Sequence, residues 1–340
     1  MNLKIVCKTL IEKVYQLKKY SVMALTKEYL LAIKSFEGIG TKKLLKIGNY
    51  VEDKNLCISS PSDLVPIFED LKIKVKKEKV TTDMLQEALG IAKRTIDYSM
   101  QAGIGITTYY DDDYPVILRD TIDEDGRLAP PMVLYYKGDL SITQLPGLAV
   151  IGTREITDFG KKAGLFLTQE LAKRGFCIVS GLALGCDTVG HQGALNVGGK
   201  TIAFLAHGLD TVYPPENEAL AQQIIDNGGL LLSEYPVGIG VNRYNLVARD
   251  RLQASMALAT LVIQTGVQGG TMHAANTTLQ YPKPLYVIKF KNNDENEHEK
   301  SLGNALLVEK GAKYISGSDD INEIADSIMN FQKPRTTLFD

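Results

Sequence analysis

Three glycine-bearing segments of the sequence carry residue types that bind anions. In order along the chain, they contain Gly152-Thr153-Arg154, Ser180-Gly181 with Gly185, and Gly269-Gly270-Thr271. Glycine lets an anion approach the backbone closely, and the start of a following helix offers unpaired N–H groups and a positive dipole. An arginine beside such a turn can make a forked contact with a phosphate. Together the three segments predict a phosphate-binding site.

These segments match neither of two common nucleotide-binding signatures. None reads GxxxxGK[ST], and none gives a clean GxGxxG. This disfavours a P-loop nucleotidase and a standard dinucleotide-dependent enzyme. A plainer interpretation is that the glycines only permit tight strand-to-helix turns. That interpretation is the better one for a single turn, and the weaker one for three turns together with Arg154.

A further segment, residues 233–251, interleaves arginines with an aromatic side chain. It reads SEYPVGIGVNRYNLVARDR and contains Arg243, Tyr244, Arg249 and Arg251. Such a segment suits single-stranded nucleic acid, because the charges can meet phosphates while the ring stacks on a base. The alternative is a surface loop with an incidental arginine cluster.

Catalytic groups and metal ligands are sparse. Asp187 and His191 stand four residues apart, which is consistent with an acid–base pair, but a capping aspartate with a structural histidine is the favoured interpretation. His207 and His273 follow predicted strands and are candidate ligand contacts with no evident metal partner. No Ser-His-Asp or Cys-His arrangement can be read from the spacing. The sequence therefore predicts no catalytic residue, no metal and no cofactor.

The composition is that of a folded protein without a membrane span. The chain has 340 residues, 44% of them apolar, and 38 basic against 40 acidic side chains, which argues against a histone-like polycation. No stretch approaches ~20 consecutive apolar residues. The cysteines lie far apart at Cys7, Cys57, Cys177 and Cys186. Their spacing encodes neither a zinc knuckle nor a disulfide framework, and it predicts reduced thiols in the cytoplasm.

From residue 148 onward, short apolar runs alternate with helical stretches. Strands are expected at LAVIG, FCIVSG, TIAFLAHG, LLLSE, TLVIQTG and PLYVIKF, and helices at 160–174, 187–197, 216–227, 247–258, 271–281 and 319–331. This alternation predicts an α/β fold, a parallel sheet with helices on both faces. Ligands of such sheets bind at the carboxyl ends of the strands, so the sheet is expected to bring the glycine turns together.

Two local predictions concern this part of the chain. Asp158 is expected to cap the helix at 160–174, and the buried stripe of that helix is expected to contain Ala163, Phe166, Leu167 and Leu171. The charged segment 291–300 is expected to be a flexible loop.

The N-terminal part is predicted to be helical. Residues 1–20 have amphipathic spacing, and residues 26–50 have a helix-hairpin-helix pattern with Gly38-Ile39-Gly40 at the turn and Lys42 and Lys43 beside it. That turn can meet a phosphate, or the segment is a plain helical hairpin. The lysine-rich run 72–79 is interpreted as a solvated loop or helix face.

These patterns divide the chain into four parts. They are a helical domain (1–102), a connecting segment with short strands (103–147), the sheet domain (148–332) and a tail (333–340).

The stretch from 148 to about 316 resembles the DNA-processing protein A (DprA/Smf) family. The motifs that carry the resemblance are VIGTREITDFG, VSGLALGCDTVGHQGALNVGGKTIAFLAHGLDTVYPPEN, LLSEYP, GGTMHAANTTLQYPKPLYVI and GNALLVEKGA. The resemblance implies an extended Rossmann-like domain, preceded by a helical domain of helix-hairpin-helix or SAM-like type. It further implies a dimer that binds single-stranded DNA and helps to load a RecA-type recombinase in transformation, recombination or defence.

The resemblance also assigns roles to single residues. Arg154 falls on an arginine that faces DNA phosphates, while Ser180, Gly181 and Gly185 fall on the family's second glycine turn. Arg249 and Arg251 align with a basic RNR-like motif, whose middle residue is here Asp250. The segment GVQGGTM (266–272) stands where the family has an SGSL- or SGTM-type turn, and the winged-helix tail of many members has no counterpart before the chain ends.

Two other functions remain open at this point. Gly269-Gly270-Thr271 is similar to the PGGxGTxxE turn of nucleoside-monophosphate phosphoribohydrolases, but Met272, His273, Ala274 and Ala275 follow, so the catalytic glutamate has no counterpart. The third possibility is a sensor that binds a nucleotide without turning it over. The terminal TTLFD is weakly similar to peptides that dock on the replication clamp, and a frayed tail is the favoured interpretation.

Overall fold

The computed structural model describes residues 25–281 and 283–331, which form two compact units. The smaller unit comprises residues 25–94 with 110–112, and the larger comprises 95–109 with 113–331. The amphipathic helix expected at 1–20, Cys7 and the tail 333–340 lie outside the described residues. Among the helices described, none is both long enough and apolar enough to cross a bilayer.

The smaller unit is helical. It contains α1 (Lys27–Lys34), α2 (Thr41–Asp53), α3 (Val65–Asp70) and most of α4 (Thr82–Gln101). The hairpin expected at 26–50 is present as α1 and α2, and Gly38 turns the chain between them with φ +79°. The phosphate contact of this turn stays a prediction. The lysine-rich run 72–79 forms a tight turn in which Val75 pairs with Glu78.

The larger unit is built on one mostly parallel sheet. Its described strands are β1 (Gly105–Thr108), β2 (Val133–Gly138), β3 (Gly147–Ile151), β4 (Cys177–Ser180), β5 (Thr201–Leu205), β6 (Leu230–Ser233), β7 (Ala259–Val262), β8 (Leu285–Ile288) and β9 (Lys313–Ile315). Their order is β1-β2-β6-β5-β4-β3-β7-β8-β9, and only the β1–β2 and β2–β6 pairs are antiparallel. The α/β Rossmann-like fold with a helical N-terminal region is confirmed.

The segment 103–147 contributes two strands to this sheet. β1 pairs with β2, and β2 continues the sheet beyond β6. The four-part domain division stays a prediction. The short strand β9, which pairs with β8, was not expected, because its three residues are too few to show a period in the sequence.

Helices cover both faces of the sheet. They are α5 (Asp158–Lys173), α6 (Cys186–Leu195), α7 (Glu218–Asp226), α8 (Arg243–Met256), α9 (Gly270–Gln280), α10 (Asn293–Glu297), α11 (Leu302–Glu309) and α12 (Ser318–Phe331). Successive strand residues point to opposite faces, so Ile178 belongs to the core cluster that includes α5, α6 and α12, while Val179 belongs to the cluster that includes α8. The continuous apolar runs in the sequence follow from this two-sided burial.

Two details of α5 differ from the sequence prediction. Thr157 caps the helix, because its side chain accepts from Gly160 N, and Asp158 is the first helical residue. Phe166 is 46% exposed. Small residues face the sheet instead: a Cβ on Gly164 would lie 2.6 Å from Cδ1 of Ile263. The helix therefore packs too close to the sheet for an aromatic ring at that face.

Two other predicted boundaries are wrong. Residues 291–300 are not simply a loop, because Asn292 and Glu295 form a capping box that starts the short helix α10. The helix expected at 247–258 begins four residues earlier, at Arg243, where the side chain of Asn242 accepts from Asn245 N. Arg243 and Tyr244 thus belong to a helix start and not to a loop.

Candidate functional site

The strand order reverses at β3, which lies between β4 and β7. The turns that follow these three adjacent strands are the glycine-bearing segments singled out in the sequence. All three leave parallel strands at the carboxyl edge of the sheet. The sheet therefore brings the predicted turns side by side at a topological switch point, the usual ligand position in open α/β sheets.

Backbone hydrogen bonds hold the three turns against one another. Thr153 N donates to the carbonyl of Gln264, just after β7, at 2.7 Å, and Thr153 O accepts from Cys186 N at 3.1 Å. Gly185 approaches most closely, since a Cβ there would lie 2.3 Å from Thr153 O. These contacts join the turns into one platform.

We expect Gly185→Ala to destabilise the protein by about 1–3 kcal/mol more than Gly175→Ala. Both glycines have positive φ, +77° and +90°, but a Cβ on Gly175 meets nothing within 4 Å. A positive φ is common to both sites, so the difference reports the clash with Thr153 O together with the unusual ψ of Gly185, −121°. Urea unfolding of the two variants measures it. Equal losses would show that the turns can separate freely.

Arg154 is the exposed cation of this platform. Its side chain is exposed, and it makes no hydrogen bond within the part of the chain that the structure describes. It lines a small open pocket whose other lining residues come from the turns after β4 and β5 and from α8. These are Gly181, Ala183, Leu184, Tyr213, Pro214, Leu246 and Arg249. The guanidinium of Arg154 is therefore available to an anion.

Arg249, in contrast, is engaged inside the protein. Its residue is 5% exposed, and its Nη1 donates to the carbonyls of Gly181, at 2.6 Å, and Phe204. Its Nε donates to Oδ1 of Asp250 at 3.1 Å. The guanidinium lies against Gly181 so closely that a Cβ there would be 2.1 Å from Nη1. Arg249 forms the floor of the pocket and ties α8 to the turns after β4 and β5.

Two carboxylates accompany this buried arginine. Oδ2 of Asp187 accepts from the N–H groups of Gly181, at 3.0 Å, and Ala183, at 3.3 Å. Burial raises the pKa of Asp187, although the nearby Arg249 acts to lower it. Burial likewise raises the pKa of Asp250, to about 6. Asp187 therefore shapes the β4 turn, and neither carboxylate faces open solvent.

Two more predicted contacts are occupied by partners within the chain. Arg251 makes a bidentate ion pair with Glu234, at 2.8 Å from each nitrogen of its fork. The hydroxyl of Ser180 donates to the carbonyl of Val150 at 2.6 Å. Their part in binding phosphate stays a prediction, but their side chains now serve the fold.

Arg243 and Tyr244 are exposed at the start of α8. Tyr244 is 86% exposed, the highest value among the large hydrophobic side chains described. Because α8 precedes β7, its start lies at the carboxyl edge of the sheet. A cation and an aromatic ring are thereby displayed on the same edge as Arg154.

The third glycine turn leads directly into α9. Gly269 has φ +121° and precedes the first helical residue, Gly270, and no side chain caps this helix start. Thr271 is half-buried in the first turn. The positive end of α9 is thus present at the switch point, where it would favour an anion.

Comparison with known proteins supports a single family. The family model described as DNA recombination-mediator protein A matches residues 105–326. The chain belongs to this family. It is 37% identical over 215 residues to the protein Smf of Synechocystis, covering 62% of this chain and 51% of that protein. It is 33% identical over 211 residues to the DNA processing protein DprA of Streptococcus pneumoniae, covering 62% of this chain and 71% of that protein.

Solved structures agree with the sequence comparison. The X-ray structure of S. pneumoniae DprA superposes with a TM-score of 0.71 at 27% identity, covering 88% of this chain and 98% of that one. The structure of DNA processing protein A from Helicobacter pylori, described for its single-stranded DNA binding mode, superposes with a TM-score of 0.55 at 31% identity. The match covers 67% of this chain and 96% of that one. The chain spans about half the length of the Smf relatives from Synechocystis and Escherichia coli.

In this member of the DNA recombination-mediator family, His191 and His207 occupy buried positions. Thr201 Oγ1 donates to the carbonyl of Ile178, so it accepts from Nδ1 of His191, at 2.7 Å. Burial lowers the pKa of His191 to about 3, which keeps the ring neutral. His207 is also buried. Asp187 is not the helix cap that was expected, because Gly185 occupies that position and Asp187 binds turn amides instead.

The sequence interpretation singled out Tyr244 but missed the other members of an apolar rim on the sheet edge that carries Arg154. Five exposed apolar side chains lie on the loops after β4, β5, β6 and β7 and at the start of α8: Leu184, Tyr213, Ile239, Val267 and Tyr244. Single apolar residues in loops carry no periodic signal. Their common position after successive strands was the only available clue. The rim adds exposed apolar surface to the charged edge.

Proposed function

We propose that this protein binds single-stranded DNA along the carboxyl edge of its sheet. The observation that carries the proposal is the exposed guanidinium of Arg154, set at the switch point within the apolar rim of Leu184, Tyr213, Ile239, Tyr244 and Val267. A phosphate meets the cation while bases stack on the rings, which is how single strands are held without sequence readout. The H. pylori relative, described for its single-stranded DNA binding mode, supports the same assignment.

The charges divide into two groups under this proposal. Arg154 and Arg243 are exposed and contact phosphates. Arg249 and Arg251 are held by carbonyls and carboxylates, and they support the site from beneath. A duplex hides its bases in the stack, so it gains the phosphate contacts without the stacking contacts and binds more weakly.

We expect oligo-dT to bind more tightly than a blunt duplex of equal length, with a dependence on salt. Two phosphate contacts predict a slope of about −1.4 in a plot of log affinity against log salt concentration. The affinity should therefore fall about sevenfold when the salt concentration rises from 50 to 200 mM. Fluorescence anisotropy with labelled oligonucleotides measures both quantities. Equal affinity for duplex, or a flat salt dependence, would contradict the proposal.

The pocket at Arg154 is open, so the phosphate of a free nucleotide could reach the same guanidinium, which keeps the sensor function as a competing candidate. A thermal-shift screen of nucleoside mono-, di- and triphosphates, run beside the oligo-dT titration, separates the two. Under our proposal, oligo-dT shifts the melting temperature and free nucleotides at equal phosphate concentration shift it far less. The opposite order would favour the sensor.

We further propose that the protein is not an enzyme, and that it acts as a homodimer in the cytoplasm that assists a RecA-type recombinase. The glutamate of the phosphoribohydrolase motif has no counterpart after Thr271. Purified protein should leave ATP, AMP and labelled oligonucleotides intact in magnesium or manganese. Turnover that Asp187→Asn abolishes in folded protein would overturn this part of the proposal. Light scattering and a recombinase-loading assay on single strands test the dimer and the partner.

A further inference from the structure

An aspartate lies inside the positive cluster of the proposed DNA site. The side chain of Asp250 is 16% exposed, and its Oδ1 accepts from Arg249 Nε at 3.1 Å. Its Oδ2 faces the start of α9, where a Cβ on Gly270 would lie 3.9 Å away. The protein has thus placed a carboxylate of its own where an incoming phosphate would bring negative charge.

Charged side chains from three elements act on Asp250. Arg154 from the β3 turn and Arg249 from α8 favour its ionised form, whereas Asp187 from α6 opposes it. The amide of Gln253 lies 3.4 Å from Oδ1, and Gly270 of α9 lies on the side of Oδ2. With all four charged groups ionised, the cluster is neutral. A phosphate on Arg154 would therefore leave it with an excess negative charge beside a mostly buried carboxylate.

We propose that Asp250 sets the strength of DNA binding at this site, and that a DNA phosphate binds there together with a proton on the Asp250 carboxylate. The inference rests on the proposed function, because it takes Arg154 as the phosphate contact. It deepens that function by making binding depend on pH through one named residue.

Because Asp250 is mostly buried, its uptake of a proton on DNA binding should be measurable near neutral pH. Burial raises the pKa of Asp250 to about 6, so a modest further rise on phosphate binding leaves the group protonated at pH 6.5. His191 and His207 do not contribute, because burial lowers the pKa of both, that of His191 to about 3. The proton is taken from solvent.

Affinity for oligo-dT is expected to rise as the pH falls. If phosphate raises the pKa of Asp250 by about one unit, affinity increases about sevenfold from pH 8 to pH 5.5 and about half a proton is taken up per site at pH 6.5. Anisotropy at constant ionic strength measures the first quantity. Calorimetry in two buffers with different ionisation enthalpies measures the second. Oligo-dT is the probe because thymine does not protonate in this range.

Asp250→Asn removes the titrating group and keeps its size. We expect this variant to bind about tenfold more tightly than the wild type at pH 8, with a flat profile down to pH 5.5. Asp226→Asn, which neutralises an exposed carboxylate at the end of α7, is the matched control and should keep the wild-type profile.

The outcomes separate this inference from the function on which it rests. If the wild type does not bind oligo-dT at any pH, the proposed function fails. If it binds without proton uptake, or if Asp250→Asn keeps the wild-type pH profile, DNA binding stands and the role of Asp250 is refuted. The calorimetric test uses the wild type alone, so an absence of proton uptake refutes the role of Asp250 even if the variant does not fold.

Discussion

Replacing Arg154 by alanine should weaken binding to oligo-dT about 10- to 100-fold, the effect of losing a charged, forked contact worth ~1.5–3 kcal/mol. Arg154 is exposed at the switch point and makes no hydrogen bond to any residue that the structure describes, so its loss costs the fold little. Anisotropy titration measures the affinity, and urea unfolding confirms that stability is unchanged.

Two control variants test whether the loss of affinity is specific to Arg154. Arg127→Ala removes an equally long cation from the exposed loop between β1 and β2, where it pairs with Asp125. Lys77→Ala removes a charge from the lysine-rich run 72–79, whose lysines are all exposed. Each should change affinity by less than about threefold, since an isolated surface charge acts only through a screened field. A larger loss from Lys77 than from Arg154 would show that DNA binds elsewhere.

Replacing Arg249 by methionine should lower the free energy of unfolding by about 3–5 kcal/mol. Methionine retains much of the volume but leaves Asp187 and Asp250 buried without their cation, and it leaves the carbonyls of Gly181 and Phe204 without a donor. The loss should shrink below pH 6, because the pKa of Asp250 lies at about 6 in the wild type and rises further without Arg249. Urea unfolding at pH 8 and pH 5 measures both effects.

Arg243→Ala is the matched arginine control for this experiment. Arg243 is exposed at the start of the same helix, and its loss should change the free energy of unfolding by no more than about 0.5 kcal/mol. Its effect should appear in DNA affinity instead. If Arg249→Met unfolds no more easily than Arg243→Ala, then Arg249 is not the structural cation that its contacts indicate.

The arginines show why part of the site was predictable and part was not. Arg154 directly follows a buried strand, and that position alone implies the carboxyl edge of the sheet. Arg249 lies in a helix whose buried stripe is Arg249, Leu252, Gln253 and Met256, at helical spacing. The stripe lies wholly within the predicted helix 247–258, but its two polar residues, Arg249 and Gln253, weaken the apolar pattern by which a buried face is recognised. The exposed rim had no periodic signal at all.

The sequence by itself determined the α/β class, the six central strands and the three glycine turns that follow strands. Local patterns suffice there, because continuous apolar runs and glycine before a helix are properties of a few adjacent residues. Only the tertiary structure decided which arginines face solvent. The carbonyls that hold Arg249 lie 68 and 45 residues away, at Gly181 and Phe204, and Glu234 lies 17 residues from Arg251. A buried charge is stable only with such partners, and their proximity is a consequence of strand order that no local pattern contains.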